Sequence, residues 1–402
     1  MRHTLLLSTS SVGLLALLTM PIHTIAQEQL NTQDPPHYRV TDLGTLGGTS
    51  GIAFGINDRG RVAGSANLTA GGPQHAFIGY RDHLTDLGTL GGLNSEASGP
   101  NERDEAAILS ETADPAYMGE DFCGFGNHLQ CLAAIWRNGT MTPLPTLPGG
   151  DNAQALGLNN QGQLFGFAEN DSLEKPGYCA TPYQVLDFEA VIWGPKPDEI
   201  RELPPLPGDT VGFALSINDR GQAVGSTGLC SNTTTTGLVG GPHAVLWESD
   251  GSVTDLGSFG GTMVNVAAAI NDRGEVVGGS QSSKDGNLHA FLWTRNKGME
   301  DLGLLGTDVL TAPTWINNQG QVVGGSCPGP MGNCRAFFWQ GKALMDLNTL
   351  IPADGPLYLL FAFGINESGE IVGQAMTKSG ELHAFLATPC DRDQADMKGC
   401  RE

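Results

Sequence analysis

Along most of the chain, short apolar runs alternate with polar turns at a period of roughly fifty residues. The template is clearest from Val253 to Trp293 and recurs seven times with decay. Each copy divides into four strand candidates. The first is an apolar run ending at an asparagine, as in Phe54-Gly55-Ile56 before Asn57 or Leu215-Ser216-Ile217 before Asn218. A tight turn follows, Asn-Asp-Arg-Gly from Asn57, Asn218 and Asn271, or Asn-Asn-Gln-Gly from Asn159 and Asn317. Asparagine bonds its own backbone at the start of such a turn, and glycine accepts positive φ at its end. The second strand comes at once (Val276-Val277-Gly278, Val322-Val323-Gly324), so the first two form a hairpin. The third carries His-Ala-Phe and ends in tryptophan at Trp136, Trp193, Trp247, Trp293 and Trp339. The fourth carries a leucine in every copy: Leu43, Leu87, Leu144, Leu203, Leu256, Leu302 and Leu347. Both columns are read as core, because stacked sheets need large apolar groups between them.

The asparagine marker stands at 57, 101, 159, 218, 271, 317 and 366, a spacing of 44 to 59 residues. A unit of that length suits a propeller blade. The repeats open on a fourth strand, Arg39 to Leu43, and close on a third strand, His383 to Leu386. Pairing the two ends would complete the last sheet and remove two open edges. The expected fold is therefore all-β, a seven-bladed β-propeller with N- and C-terminal strands closing one blade. Its expected limits are residues 38–390, with a 391–402 tail. The second, third and fourth repeats depart from the template. Pro100-Asn101-Glu102-Arg103-Asp104 lacks the usual glycines, and Pro143-Leu144-Pro145 and Glu202-Leu203-Pro204 replace Asp-Leu-Gly, so irregular sheets are expected there.

Composition adds an address. Residues 1–26 read as a signal peptide: Arg2, an interrupted apolar run from Leu5 to Met20, then Thr24-Ile25-Ala26 before the expected cleavage. That run is too short to span a membrane well, and no later segment could. Residues 27–37 read as a disordered leader. Eight cysteines without a C-x-x-C pair suggest disulfides in an oxidising compartment, extracellular or periplasmic. Proximity suggests Cys123–Cys131, Cys327–Cys334 and Cys390–Cys400, which leaves Cys179 with Cys230. With 43 acidic against 21 basic residues the formal charge is -22, which repels phosphate backbones, so nucleic acid is not an expected partner. A monomer is expected.

His75-Ala76-Phe77, His289-Ala290-Phe291 and His383-Ala384-Phe385, with Asp-Leu-Gly-Thr-Leu-Gly-Gly at 42–48 and 86–92, resemble the bacterial extracellular HAF (His-Ala-Phe) repeat family. The strand order also looks like kelch-type propellers. The family resemblance implies secretion and says little of activity. The kelch-like order implies that second-to-third and fourth-to-first connections share one face, where long loops and six of the eight cysteines fall. Such loops are where binding usually resides. Their aromatics and acids make Asp114, Tyr117, Glu120, Asp121, Tyr178 and Tyr183 the candidate ligand-binding residues, suited to sugar or, for the acids, to calcium. No other cofactor is suggested. The motif histidines His75, His243, His289 and His383 sit on different blades and are read as structural, with no metal site. Asp58, Asp219 and Asp272 are read as turn formers. No G-x-S-x-G, H-E-x-x-H or Walker motif is present, and no catalytic residue is assigned. The expected function is a secreted, non-enzymatic protein that binds an extracellular glycan or protein. The alternative is a carbohydrate-active enzyme, hydrolase or lyase, using acids on the same face.

Overall fold

The computed structural model describes residues 35–80, 83–173, 185–196, 198–232, 241–329, 333–390 and 400. The expected signal peptide, residues 27–34 of the leader and nearly all of the 391–402 tail lie outside them. Among the described residues there is no α-helix, and strands are joined by turns and three short 3-10 turns. In the first repeat Gly51–Ile56, Arg61–Asn67, Gln74–Tyr80 and His83–Asp86 follow one another as an antiparallel sheet. There are five four-stranded sheets and one of eight strands, where two such units meet with Leu288 beside Leu310. One four-stranded sheet takes its outer strand from the start of the described chain. Tyr38–Gly44 lies antiparallel to Leu382–Pro389, with Tyr38 opposite Pro389 and Asp42 opposite Phe385. The strand edge that would otherwise end this sheet is thereby covered.

The repeat asparagines do more than start turns. Asn271 Oδ1 accepts the Arg273 and Glu275 amides at 3.0 Å, which is the expected local role. Its Nδ2 donates to Glu275 Oε2 at 2.7 Å and to the carbonyl of Asn317, one repeat on, at 3.1 Å. The same inter-repeat bond runs from Asn57 to Asn101, Asn159, Asn218, Asn271, Asn317 and Asn366, and from Asn366 back to Asn57, all between 2.9 and 3.2 Å. Every one of these asparagines is buried. The next residue in each turn makes a second circuit. The Asp219 amide donates to Asp272 Oδ1, Asp272 to Asn318, Asn318 to Glu367, and Glu367 to Asp58, at 2.8 or 2.9 Å. Asp58, Asp219 and Asp272 therefore tie neighbouring repeats together, beyond the turn-forming role read from their sequence.

A register shift in the first strand of six repeats explains the glycine of the second. Between Ala267 and Ala269 the pairing with Val276–Ser282 slips by one residue, opposite Gly278. A Cβ on Gly278 would lie 1.9 Å from the Val266 carbonyl and 2.8 Å from the Phe291 ring. Gly64, Gly166, Gly225, Gly324 and Gly373 meet the same obstruction. In the second repeat Ser95–Ser98 runs in unbroken register with Ala107–Ser110, and Ile108 stands where the glycine would be. The glycine-poor departure there is the mark of a strand without that bulge.

Cores form between adjacent sheets. One packs Val224, Ala244 and Leu246 against Ala267, Ile270, Val276 and Phe291. Of the tryptophan column, Trp193 and Trp247 are fully buried, whereas Trp136 and Trp339 are only half-buried. The indoles of Trp193 and Trp247 donate to the carbonyls of Pro145 and Pro204, the residues that replace glycine in the aberrant fourth strands. Disulfides join Cys123 to Cys131, Cys327 to Cys334, and Cys390 to Cys400. Cys230 is also disulfide-bonded, while Cys179 lies outside the described residues. These bonds point to an oxidising, extracellular or periplasmic setting. No helix among the described residues is long and apolar enough to cross a membrane.

Asn271→Ala removes four hydrogen bonds from a buried turn: the Arg273 and Glu275 amides lose their acceptor, and the Asn317 carbonyl keeps only the Gly320 amide. The expected loss is about 1–3 kcal/mol for each group left unsatisfied, read as a lower denaturant midpoint, with Asp272→Ala at the half-buried neighbour costing less.

Candidate binding face

In every sheet the Asn turn joins the first strand to the second at one end. The second-to-third and fourth-to-first connections therefore lie at the other end, and the circuit of turns gives all sheets the same sense. Eight large apolar side chains among the described residues are exposed, and seven of them sit at the long-loop end: Leu93, Tyr117, Met118, Leu229, Met263, Val309 and Tyr358. Tyr80 is at the turn end. Met118 and Met263 are 72% and 69% exposed. Isolated exposed apolar groups need no explanation, but their segregation to one end does.

Charge is segregated too. Among the described residues Lys284, Arg335 and Lys378 are the lysines and arginines at the long-loop end, and Arg335 is held by Asp308 and Asp346. Asp114, Asp121, Asp151, Asp171, Asp285 and Asp354 are among the acids there. The surface is thus apolar and acidic.

The second-repeat loop is built from inside outward. Phe122 is buried and packs against Phe167, with centroids 5.3 Å apart, and Phe167 leads to Phe188 and Phe213. Beside it the Cys123–Cys131 disulfide anchors the loop to its strand. Glu120 turns inward: its carboxylate accepts the amides of Val185 and Leu186 and the side chain of Asn152 at 3.2 Å. Asn152 also donates to Glu169, its amide at 2.9 Å and its Nδ2 at 2.8 Å. Asp121 caps the loop by accepting the Gly126 amide at 2.9 Å. Glu120 and Asp121 are therefore spent on holding the loop, while Asp114 and Tyr117 are exposed at its surface. Tyr178 and Tyr183 lie outside the described residues. Composition drew attention to the loop acids and aromatics. The exposed Leu93, Met118, Leu229 and Met263 were missed, because exposure is a tertiary property.

Burial raises the carboxyls of Glu120 and Glu169, and the charge of Glu120 adds to the effect at Glu169, which is pushed up to about 9. The motif histidines also take structural partners. His75 meets Asp86 at 2.8 Å, His289 meets Asp301 at 3.1 Å and Asp285 at 3.0 Å, and His383 meets Asp42 at 2.9 Å. Each Asp-Leu-Gly aspartate in these pairs also accepts the amide two residues on. The His-Ala-Phe and Asp-Leu-Gly motifs are one interaction between third and fourth strands. In the third repeat Glu189 and Glu202 take these places, and burial, then Glu202 and Asp187, push Glu189 up to about 7. Among the described residues no three His, Cys, Asp or Glu side chains converge as metal ligands.

No family model and no curated protein matches the chain. Solved structures do. Virginiamycin B lyase of Staphylococcus aureus is 10% identical with a TM-score of 0.50, over 87% of this chain and 99% of that one. An inactive variant of virginiamycin B lyase from Staphylococcus aureus with quinupristin scores 0.49 at 11% identity, over 87% and 99%. A sialidase of Trypanosoma rangeli scores 0.37 at 9% identity, over 88% and 55%. The first likeness, at 10% identity, speaks for the fold alone, which is that of a β-propeller protein.

Glu169 holds a proton in the folded chain that the unfolded chain releases in the ordinary carboxyl range. The stability it contributes is therefore complete at acid pH and is lost as pH rises toward about 9. Glu169→Gln should flatten the fall in melting temperature between about pH 5 and about pH 9. A fall as steep as in the parent protein would refute the assignment. Glu189→Gln should remove the carboxyl titrating near 7, seen as loss of that step in a proton-release titration.

Proposed function

We propose that the chain is a secreted, seven-bladed β-propeller of the HAF repeat kind that acts as a non-enzymatic binding protein. It docks an extracellular or envelope protein on its long-loop end. The seven linked asparagines, one per repeat, and the pairing of Tyr38–Gly44 with Leu382–Pro389 support the blade count. The observation that carries the binding reading is the collection of exposed Leu93, Tyr117, Met118, Leu229, Met263, Val309 and Tyr358 at one end. Aliphatic and thioether side chains outnumber tyrosines in this set, which favours a protein surface over sugar rings. The acidic surroundings favour a partner face that is basic around an apolar centre.

An enzyme using acids of this end has less support. Glu120 and Glu169 are buried and engaged with backbone amides and Asn152, so neither is presented to a substrate.

Photocrosslinkers placed at Met118 and, as a control, at Lys342 on the turn end should separate the faces when the protein meets the secreted and envelope fraction of its own cells. A partner should be trapped from Met118 and not from Lys342. With that partner purified, Met118→Asp plus Met263→Asp should weaken binding by at least roughly tenfold. Equal trapping from both positions, or an unchanged dissociation constant, defeats the reading. Release of oligosaccharides from a polysaccharide by the parent protein would favour the enzymatic alternative.

A further inference from the structure

The turn end holds most of the chain's described cations, and between the fourth and fifth repeats it opens into a groove of about 550 Å3. That volume lies in the range of small-ligand sites. Leu246, Leu292 and Trp293 line its apolar part, and its walls carry four cations, Arg220, Arg273, Arg295 and Lys297, against two carboxylates, Glu275 and Glu300.

Arg220 differs from its counterparts in other turns. Arg59, Arg103 and Arg273 each meet a carboxylate: Glu102 and Asp104, Glu105, and Glu275. For Arg103 and Arg273 that carboxylate stands two residues on; after Arg220 the same position is Gln222, whose amide donates to Glu248 at 2.8 Å. Arg220 consequently has no ion pair among the described residues, and its guanidinium lies against the next turn, 2.9 Å from where a Cβ on Gly274 would stand. Arg295 pairs with Glu248 and Lys297 with Glu300, through side chains 67% and 65% exposed. Exposed pairs of this kind hold weakly and release their cations readily to another anion.

We propose that this groove binds a carboxylated oligosaccharide, with the Arg220 guanidinium receiving a uronate carboxylate. The planar fork of arginine matches a carboxylate with two parallel hydrogen bonds. Arg295 and Lys297 supply further positive charge, and Gln222, Thr294 and Asn296 offer partners for hydroxyls along the groove. A long polyanion such as nucleic acid is disfavoured by the overall charge of -22, whereas a short acidic saccharide meets chiefly the local cations. This site is at the opposite end from the proposed protein-docking face and stands whether or not that reading does.

Calorimetric titration of the full protein with tri-galacturonate, maltotriose and a short single-stranded DNA tests it. Tri-galacturonate should bind, weakening as salt is raised, and maltotriose and DNA should not. Arg220→Ala should weaken binding about tenfold with an unchanged melting temperature, Arg220→Lys should fall between, and Lys297→Ala should weaken it less. Met118→Asp at the far end should leave it unaltered. No binding at millimolar tri-galacturonate, binding unaffected by Arg220→Ala, or equal binding of DNA would overturn the proposal.

Discussion

A buried primary amide in each turn is the interaction the rest of the structure depends on. An asparagine has two acceptor lone pairs and two donor hydrogens, and Asn101, Asn159, Asn218, Asn271 and Asn317 use all four. Two amides of the residue's own turn are accepted, one hydrogen goes to the side chain four residues on, and the other goes to the next repeat. Because the inter-repeat acceptor is the next asparagine's own carbonyl, each turn fixes the position of its neighbour. Substituting aspartate would keep the acceptors and lose both donors, which is why the amide and not the carboxylate recurs. The acidic or amide side chain that follows adds a second bond across the same boundary, with its carboxylate or carbonyl aimed at an amide.

This arrangement separates scaffold from surface. At the turn end the first-to-second-strand turns are committed to joining repeats, and their glycines and asparagines leave few positions free to vary. The long-loop end carries no such circuit, so loops there differ in length and chemistry while the sheets beneath stay alike. Even so, its loops are not loose. Glu120, Asn152 and Glu169 form a buried polar cluster linking the second and third repeats, and Phe122, Phe167, Phe188 and Phe213 continue that link across apolar ground. Buried carboxyls that must share a proton are costly unless every oxygen has a partner, and here backbone amides and an asparagine supply them.

Where the chain breaks its own pattern, the break has a local cause. Ile108 replaces a glycine because the first strand of that sheet has no bulge pushing a carbonyl toward it. The prolines at 145 and 204 lack an amide hydrogen, but the tryptophan of the next repeat needs only a carbonyl, which proline retains. Glu189 and Glu202 replace a histidine and an aspartate at a third-to-fourth-strand contact, and burial, followed by the charges of Glu202 and Asp187, lifts the Glu189 carboxyl. Departures of this kind were visible as irregularities along the chain, but their meaning was not, since each depends on an atom from another strand or another repeat.

The chain by itself determined the strand pattern, the four-strand unit, the pairing of its first and last strands and three of its disulfide pairs. All follow from side-chain periodicity, turn chemistry and short separations, which are local. Only tertiary structure decided which side chains are exposed at the long-loop end, that Glu120 faces inward, that Arg220 lacks a carboxylate and that the repeat asparagines bind one another. These depend on distances between residues tens to hundreds of positions apart, and Asn366 meeting Asn57 is the extreme case. Periodicity states which residues are alike; it carries no information on how far apart folding leaves them.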